Sequence, residues 1–270
     1  MEFTVGKAEL VRELNLSQGV VEKRTTIPIL SNVLIEAEVD HVVLTTTDLE
    51  LGIRCLCPAQ VLKQGSGTIP VRRLLDYVRL LPDADLNVKL LENQWASIHC
   101  GRSRTRIAGI SRESFPELPA MPEVIAEIPV GVLSSMIART IFAISAEESR
   151  FTLSGALLQI KPSGLLMVAT DGHRLAYVES SFQPSTVPSP YRALLPKKAM
   201  GEILKLAQES APESTIRFAG DDNHLFFQFG QRLLISRKLT GTFPDFERVL
   251  PKEHHYSVNL QRDEVRAAIE

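Results

Sequence analysis

The chain has 270 residues, of which 44% are hydrophobic, so it is long enough for two domains with buried cores. Its 30 basic and 32 acidic residues give a formal net charge of -2, which excludes a uniformly basic surface. A nucleic acid would therefore bind at a local basic patch. The N-terminal residues lack the pattern of a signal peptide, and no apolar run is long enough to span a bilayer, so we expect a cytoplasmic protein without a membrane partner.

The chain repeats itself in ordered steps. Three strand-like openings, Phe3–Val5, Ile128–Val130 and Tyr256–Val258, each precede a helical pattern. Thr47-Asp48 matches Thr170-Asp171 in the middle of the first two copies. Because these markers keep their order and near-constant spacing, we predict tandem repeats with the bounds 1–120, 127–247 and 254–270. The third copy ends inside its first helix, so we expect a truncated third domain.

Apolar spacing predicts two helices in each complete repeat. The helical positions of the first repeat are Leu10, Leu14, Leu74, Leu75, Val78 and Leu81. Those of the second are Leu133, Met136, Ile137, Ile141, Met200, Ile203, Leu204 and Ala207. Short runs rich in branched residues, such as Val42–Thr45 and Leu165–Val168, predict strands separated by tight turns. A helical stripe and a sheet face can be buried only against each other, so the fold class is α+β with helices packed on antiparallel sheets.

Four motifs give the chain a specific resemblance. They are Thr25–Leu30, Gly101–Arg104, Ala169–Leu175 and Gly241–Pro251. Together they resemble the bacterial DNA sliding clamp family, the beta subunit of DNA polymerase III, over the whole chain. The resemblance implies a DNA clamp fold, in which head-to-tail dimers of three-domain subunits form a ring with helices lining a central hole. It also implies a processivity factor that encircles duplex DNA and has no catalytic site of its own.

The resemblance further implies a groove that binds short linear motifs. Its partners are the DNA polymerase III alpha subunit, the clamp loader and repair polymerases. The matching positions are Leu153, Thr170, Gly172, His173, Arg174, Leu175, Pro244, Arg248 and Val249. Leucine, proline and valine suit apolar walls, while the arginines suit peptide carbonyls or a carboxylate. Residues near the end of the family's third domain also line the groove, so we expect weaker peptide binding in this chain.

Two further surfaces follow from the resemblance. Sequence-independent contacts with duplex DNA are expected at Arg24, Arg72, Arg150, Lys197 and Lys198. The edge where subunits of a homodimer meet is expected at Arg102, Arg104, Thr105 and Ile107. On a strand the arginines at 102, 104 and 106 share one face, and Ile107 would point the other way, toward a partner subunit.

Other interpretations remain open from the residues alone. The chain could be a peptide-docking module that does not close a ring. A hydrolase could use Asp171 and His173 as an acid-base pair with Ser154 as nucleophile, although no G-x-S-x-G motif is present. Cys55 and Cys57 lack further ligands at zinc spacing, so we predict reduced strand thiols, no metal and no cofactor.

Overall fold

The structure is a computed structural model, and it describes most of the chain. The described residues are 1–22, 25–147, 149–184, 190–251, 253 and 256–270. Its helices are α1 (Lys7–Val20), α2 (Val71–Leu80), α3 (Val130–Ala138), α4 (Lys197–Gln208) and α5 (Arg262–Ile269). Prolines at 70, 129 and 196 directly precede α2, α3 and α4. Proline suits a helix start because the first turn has no intrahelical acceptor for its missing N–H.

The strands form two similar series. The first series is β1 (Glu2–Gly6), β2 (Asn32–Ala37), β3 (His41–Thr47), β4 (Leu51–Pro58), β5 (Gln60–Lys63), β6 (Gly65–Pro70), β7 (Asp85–Leu90), β8 (Trp95–Cys100) and β9 (Ser103–Ala108). The second is β10 (Ala126–Pro129), β11 (Gly155–Lys161), β12 (Gly164–Thr170), β13 (Leu175–Ser180), β14 (Tyr191–Pro196), β15 (Thr215–Gly220), β16 (His224–Phe229) and β17 (Arg232–Arg237). Apart from β5, the element order of the first series recurs in the second.

Within the described residues the strands form three antiparallel sheets. The first has the order β5-β1-β7-β8-β9, and the second has the order β13-β12-β11-β14. The third runs β10-β15-β16-β17-β4-β3-β2-β6 and so contains strands from both repeats. Helices α1 and α2 pack together, as do α3 and α4, and α1 also contacts α4. The predicted α+β class with helices on antiparallel sheets is confirmed.

The helical spacing correctly predicts most of the buried helix faces. Leu10 and Leu14 of α1, and Leu74 of α2, are almost fully buried. The prediction is wrong at Ile141, which lies in a short 3-10 helix because α3 ends at Ala138. Just after the helix end, the Thr140 hydroxyl donates to the Met136 carbonyl at 2.9 Å. In a continued helix the backbone N–H of Thr140 would use that carbonyl, so the hydroxyl competes with it.

The opening of the third repeat also differs from the prediction. Residues 256–261 form no strand, and within the described part of the chain no strand lies beside them. An extended segment needs a neighbouring strand to accept its backbone hydrogen bonds. Helix α5 does form, but it buries no residue. Local interactions hold it, including Asp263 in the first turn and an Arg266–Glu270 ion pair of 2.8 Å.

Pairing between β4 and β17 joins the two repeats. Its register places Leu234 opposite Ile53, and both side chains are buried. Beside this junction, Arg232 donates from Nε and Nη2 to the two carboxylate oxygens of Glu13 at 2.8 and 2.7 Å. Burial would raise the pKa of Glu13, but hydrogen bonds from Arg232 and Arg12 outweigh it and hold the pKa below its usual value. The repeats therefore share one sheet and one buried, bidentate ion pair.

Replacing Glu13 with glutamine should destabilise the chain by about 3–5 kcal/mol, because the Arg232 charge would lose its buried partner. Urea unfolding measures this loss. The matched control is Glu127→Gln, at an exposed position of β10, which should change stability by less than about 0.5 kcal/mol. Since the Glu13 pKa is depressed on folding, its stabilising contribution is complete above the ordinary glutamate pKa and is lost as the pH falls through the depressed value. Equal stability of the two variants at pH 7 would contradict this assignment.

Candidate functional site

A cavity of 340 Å³ lies where three segments of the second repeat meet. Leu153 comes from a 3-10 helix before β11, and the β12–β13 turn supplies a second wall. The third wall follows β17. The lining residues are Leu153, Thr170, Gly172, His173, Arg174, Leu175, Pro244, Asp245, Phe246 and Val249. All of the predicted groove residues except Arg248 line this cavity.

The β12–β13 turn is fixed by side chains that bond to its own backbone. The Thr170 hydroxyl donates to the Arg174 carbonyl at 2.7 Å and accepts from the Gly172 amide at 3.0 Å. Asp171 Oδ1 accepts from the amides of His173 and Arg174 at 2.9 and 3.0 Å. Gly172 has a φ of 91°, a conformation that favours glycine. The Thr-Asp-Gly sequence therefore sets the shape of this cavity wall.

The floor of the cavity is apolar. A buried cluster contains Leu157, Leu166, Val168, Leu194, Phe243 and Phe246, with Leu153 and Leu175 packed against it. The ring of Phe246 lies 6.4 Å from that of Phe243 and 5.9 Å from that of Tyr177, measured between centroids. At the rim, Val249 is 68% exposed. An apolar side chain entering from solvent would meet both the buried floor and this exposed valine.

Two arginines lie near the cavity, and of these only Arg174 lines it among the described residues. Arg174 Nε donates to Asp171 Oδ2 at 3.0 Å, and its guanidinium carbon lies 6.0 Å from the centroid of the Phe142 ring. Its terminal nitrogens make no hydrogen bond within the described residues, so they remain available to an acceptor. Arg248 is 82% exposed and pairs with Asp245 at 2.8 Å, so it lies outside the cavity lining.

Sequence reasoning missed Asp245 and Phe246 as lining residues. Both lie within the Gly241–Pro251 motif, and the spacing of Phe243 and Phe246 was the available signal. Two aromatic residues three positions apart around a proline face the same side of a short turn. Here Phe246 begins the 3-10 helix Phe246–Arg248, which turns its ring toward the buried cluster.

The hydrolase interpretation finds no catalytic geometry in the described residues. Asp171 accepts two amides of its own turn and the Arg174 side chain, and no hydrogen bond joins it to the imidazole of His173. The Ser154 hydroxyl donates to the Arg150 carbonyl at 3.2 Å. A nucleophile needs a base within hydrogen-bond reach, and this arrangement lacks one.

The residues predicted to bind DNA differ in their surroundings. Lys197 and Arg72 lie in the first turns of α4 and α2 and form no ion pair within the described part of the chain. Lys198 pairs with Asp48 and lies 3.9 Å from Glu22. Arg150 pairs with Glu147 at 2.8 Å and donates to the Asp171 carbonyl at 2.9 Å. Arg24, the last of the predicted residues, lies outside the described residues.

The predicted dimer edge falls on and beside β9, the last strand of its sheet. Arg102 and Arg104 are exposed, and Thr105 is half-buried. The expectation that the Ile107 side chain faces a partner is wrong, because Ile107 is 7% exposed and belongs to the main core. The alternation of the strand turns Ile107 inward, away from the exposed arginine face.

The cysteines are buried thiols. Cys55, Cys57 and Cys100 are free, and burial raises the pKa of Cys57 to about 12. Among the described residues no group of three potential ligands could hold a metal ion. In the part of the chain that the structure describes, no helix is long and apolar enough to cross a membrane.

The cavity turn should keep its shape well into acidic solution. Backbone amides of Arg174 and His173 lower the pKa of Asp171 to about 2, so the carboxylate remains ionised far below the ordinary aspartate range. Because the folded pKa is depressed, this contribution is complete above the unfolded aspartate pKa and is lost only as the pH falls through about 2. Amide chemical shifts of Gly172 and His173, followed by NMR, report the transition. Asp171→Asn should abolish it, and a wild-type midpoint near 4 would contradict the assignment.

Comparison with known proteins identifies the family. The DNA polymerase III beta subunit N-terminal domain matches residues 1–119, and the central domain of that subunit matches residues 127–245. The beta sliding clamp of Chlamydia muridarum is 37% identical over 268 residues, which cover 98% of this chain and 72% of the relative. That of Synechococcus elongatus is 32% identical, with 100% of this chain and 73% of the relative covered.

Solved structures agree with these relatives. The DNA polymerase III subunit beta from Pseudomonas aeruginosa superimposes with a TM-score of 0.87 at 31% identity, covering 94% of this chain and 68% of that one. The beta subunit from Caulobacter crescentus gives a TM-score of 0.87 at 34% identity, with coverage of 94% and 69%. The chain therefore belongs to the bacterial beta sliding clamp family, the beta subunits of DNA polymerase III.

Proposed function

We propose that this chain is a processivity factor of DNA replication, a sliding clamp component that tethers a polymerase to duplex DNA and catalyses no reaction itself. The observation that carries the proposal is the 340 Å³ cavity, with its apolar floor and Arg174 in its lining, in a chain of the clamp family. Such a cavity suits a short peptide with apolar side chains near its end. We assign this chain to the cytoplasm, where bacterial DNA is replicated.

Peptide capture would combine two kinds of contact. One or two apolar side chains would cover Val249 and enter toward Phe246, so that apolar surface leaves water. The free nitrogens of Arg174 would donate to a peptide carbonyl or a terminal carboxylate. We expect the peptides that supply these groups to be the linear motifs of the polymerase III alpha subunit, the clamp loader and repair polymerases.

DNA contact is supported by the charge at two helix starts. Helices α2 and α4 have no acidic residue in their first turns and instead carry Arg72, Lys197 and Lys198 there. Cations at the positive end of a helix dipole weaken the helix, whereas together with the free amides they attract phosphate. Contacts of this kind read no base sequence, so they permit sliding. Because Lys198 is paired with Asp48, we assign the larger contribution to Lys197 and Arg72.

A peptide-docking module that does not close a ring is the second candidate. The observation in its favour is that every lining residue of the cavity lies between Leu153 and Val249. A single copy of this chain therefore carries all of the lining residues described for this cavity. The two candidates differ in DNA retention, since only a closed ring remains on a circular duplex when salt screens its phosphate contacts.

Val249→Asp should weaken peptide binding at least tenfold, because it would place a charge beside the apolar floor. Fluorescence anisotropy with a labelled peptide that carries two large apolar residues near its C-terminus measures the dissociation constant. Val39→Asp is the matched control, since Val39 is 75% exposed in the β2–β3 turn, away from the cavity. Equal affinities of the two variants would refute the assignment of the cavity.

The double variant Arg72→Ala/Lys197→Ala should lower the slope of log K against log salt for duplex DNA by about 2, roughly 0.9 for each lost phosphate contact. Binding to a short duplex, measured at several salt concentrations, gives this slope. The control Lys63→Ala/Lys161→Ala removes two exposed lysines at strand ends. A slope that changes equally in both double variants would mean that the helix starts hold no phosphate.

A further inference from the structure

A second cavity, of 260 Å³, lies on the same sheet as the first, over its β14 side. Its apolar walls include Leu157 and Leu194, which pair across β11 and β14, and Phe243. All three side chains are at most 6% exposed and belong to the buried cluster under the first cavity. Among the described residues the two cavities share no lining residue, yet they share this apolar floor.

The segment that follows β17 separates the two cavities. At one end the Leu239 amide donates to the Leu194 carbonyl of β14 at 3.2 Å. At the other end the ring of Phe246 lies 5.9 Å from that of Tyr177 on β13. Between these ends Phe243 packs into the buried cluster. The segment therefore crosses one face of the sheet from edge to edge, and a peptide that passes over it would join one cavity to the other.

The second cavity differs from the first in its charge. Arg192 and Lys238 line it, and none of its described lining residues is acidic, whereas Asp245 lines the first cavity. The Arg192 side chain is exposed and forms no ion pair or hydrogen bond with the described residues. Lys238 Nζ donates to the Asp221 carbonyl and lies 5.2 Å from the centroid of the Tyr191 ring, which holds its charge at the cavity. A carboxylate that enters would meet two cations.

We propose that the second cavity binds an acidic side chain of the same peptide whose apolar residues fill the first cavity. The preference rests on the proposed peptide binding and adds a charge requirement to it. The carboxylate of a glutamate or aspartate would pair with Arg192 and Lys238, and the exposed Thr242 hydroxyl can donate a further hydrogen bond. The methylene groups of the acidic residue would cover Leu194 and Phe243.

The sheet sets the spacing between the two parts of such a peptide. Leu175 of β13 lines the first cavity and Arg192 of β14 lines the second, and these strands are opposite edges of the four-stranded sheet. Three inter-strand steps of about 4.8 Å each give a separation of about 14 Å. An extended peptide rises about 3.3 Å per residue, so about four or five residues would span this distance. A much shorter link would leave the carboxylate outside the second cavity.

Fluorescence anisotropy of the 270-residue chain with labelled peptides tests the proposal. Each peptide carries two large apolar residues and a glutamate placed about five residues before or about five residues after them, the spacing that the sheet requires. Its partner peptide has glutamine in place of the glutamate. We expect one of the two glutamate peptides to bind about fivefold more tightly than its glutamine partner, because its carboxylate gains charge-assisted hydrogen bonds at a partly exposed site. A glutamate directly beside the apolar pair should give no preference.

Arg192→Gln should remove the preference for glutamate and leave the affinity for the glutamine peptide unchanged, because only the charged contact is lost. Arg192→Glu should instead favour a peptide with lysine in place of the glutamate, since opposite charges then meet again. The matched control is Arg106→Gln, which removes an exposed arginine of β9 in the first repeat and should keep the preference. Circular dichroism confirms that each variant is folded.

The outcomes separate this inference from the proposed function. Glutamate and glutamine peptides that bind equally in both arrangements, or a preference that survives Arg192→Gln, overturn the second cavity and leave peptide binding at the first cavity in place. Peptides that all fail to bind overturn both. Val249→Asp changes only the first cavity, so it should weaken the glutamate and glutamine peptides by the same factor and leave their ratio at about fivefold.

Discussion

The antiparallel pairing of β4 with β17 is the constraint on which the rest of this structure depends. It makes one sheet out of strands from two repeats, and the buried pair of Glu13 and Arg232 lies beside it. A slip of one residue would turn Ile53 from the core toward solvent and would move Arg232 away from its carboxylate. Burial and charge therefore specify the same register, and the two repeats form a single hydrophobic core.

The same pairing determines where the cavity wall lies. After β17 the chain runs across the sheet of β11–β14, where the Leu239 amide donates to the Leu194 carbonyl at 3.2 Å. The continuation places Phe243 and Phe246 in the buried cluster under the cavity. One segment, residues 232–249, thus first joins the repeats and then forms a wall of the candidate peptide site.

Patterns local in the sequence predicted most of the helices and strands, whereas the candidate groove residues came from the family resemblance. Helix spacing at Leu10 and Leu14 and the Thr-Asp-Gly turn act within a few residues, so the sequence shows them directly. The errors arise where distant groups decide. Ile107 packs into a core built from both repeats. Strand formation at 256–261 needed a neighbour that a local pattern cannot supply.

The cluster at the β12–β13 turn shows why residue types alone misidentify chemistry. An aspartate, a histidine and an arginine within four positions have the composition of an acid-base site, yet the Asp171 carboxylate is held by amides of its own turn. Those bonds lower its pKa to about 2, which removes it as a proton acceptor near neutral pH. The same bonds fix Gly172 and Arg174 at the cavity wall. A carboxylate that accepts hydrogen bonds from its own turn holds the backbone of the binding site in one conformation. Such a preorganised site lowers the entropic cost of binding a flexible peptide.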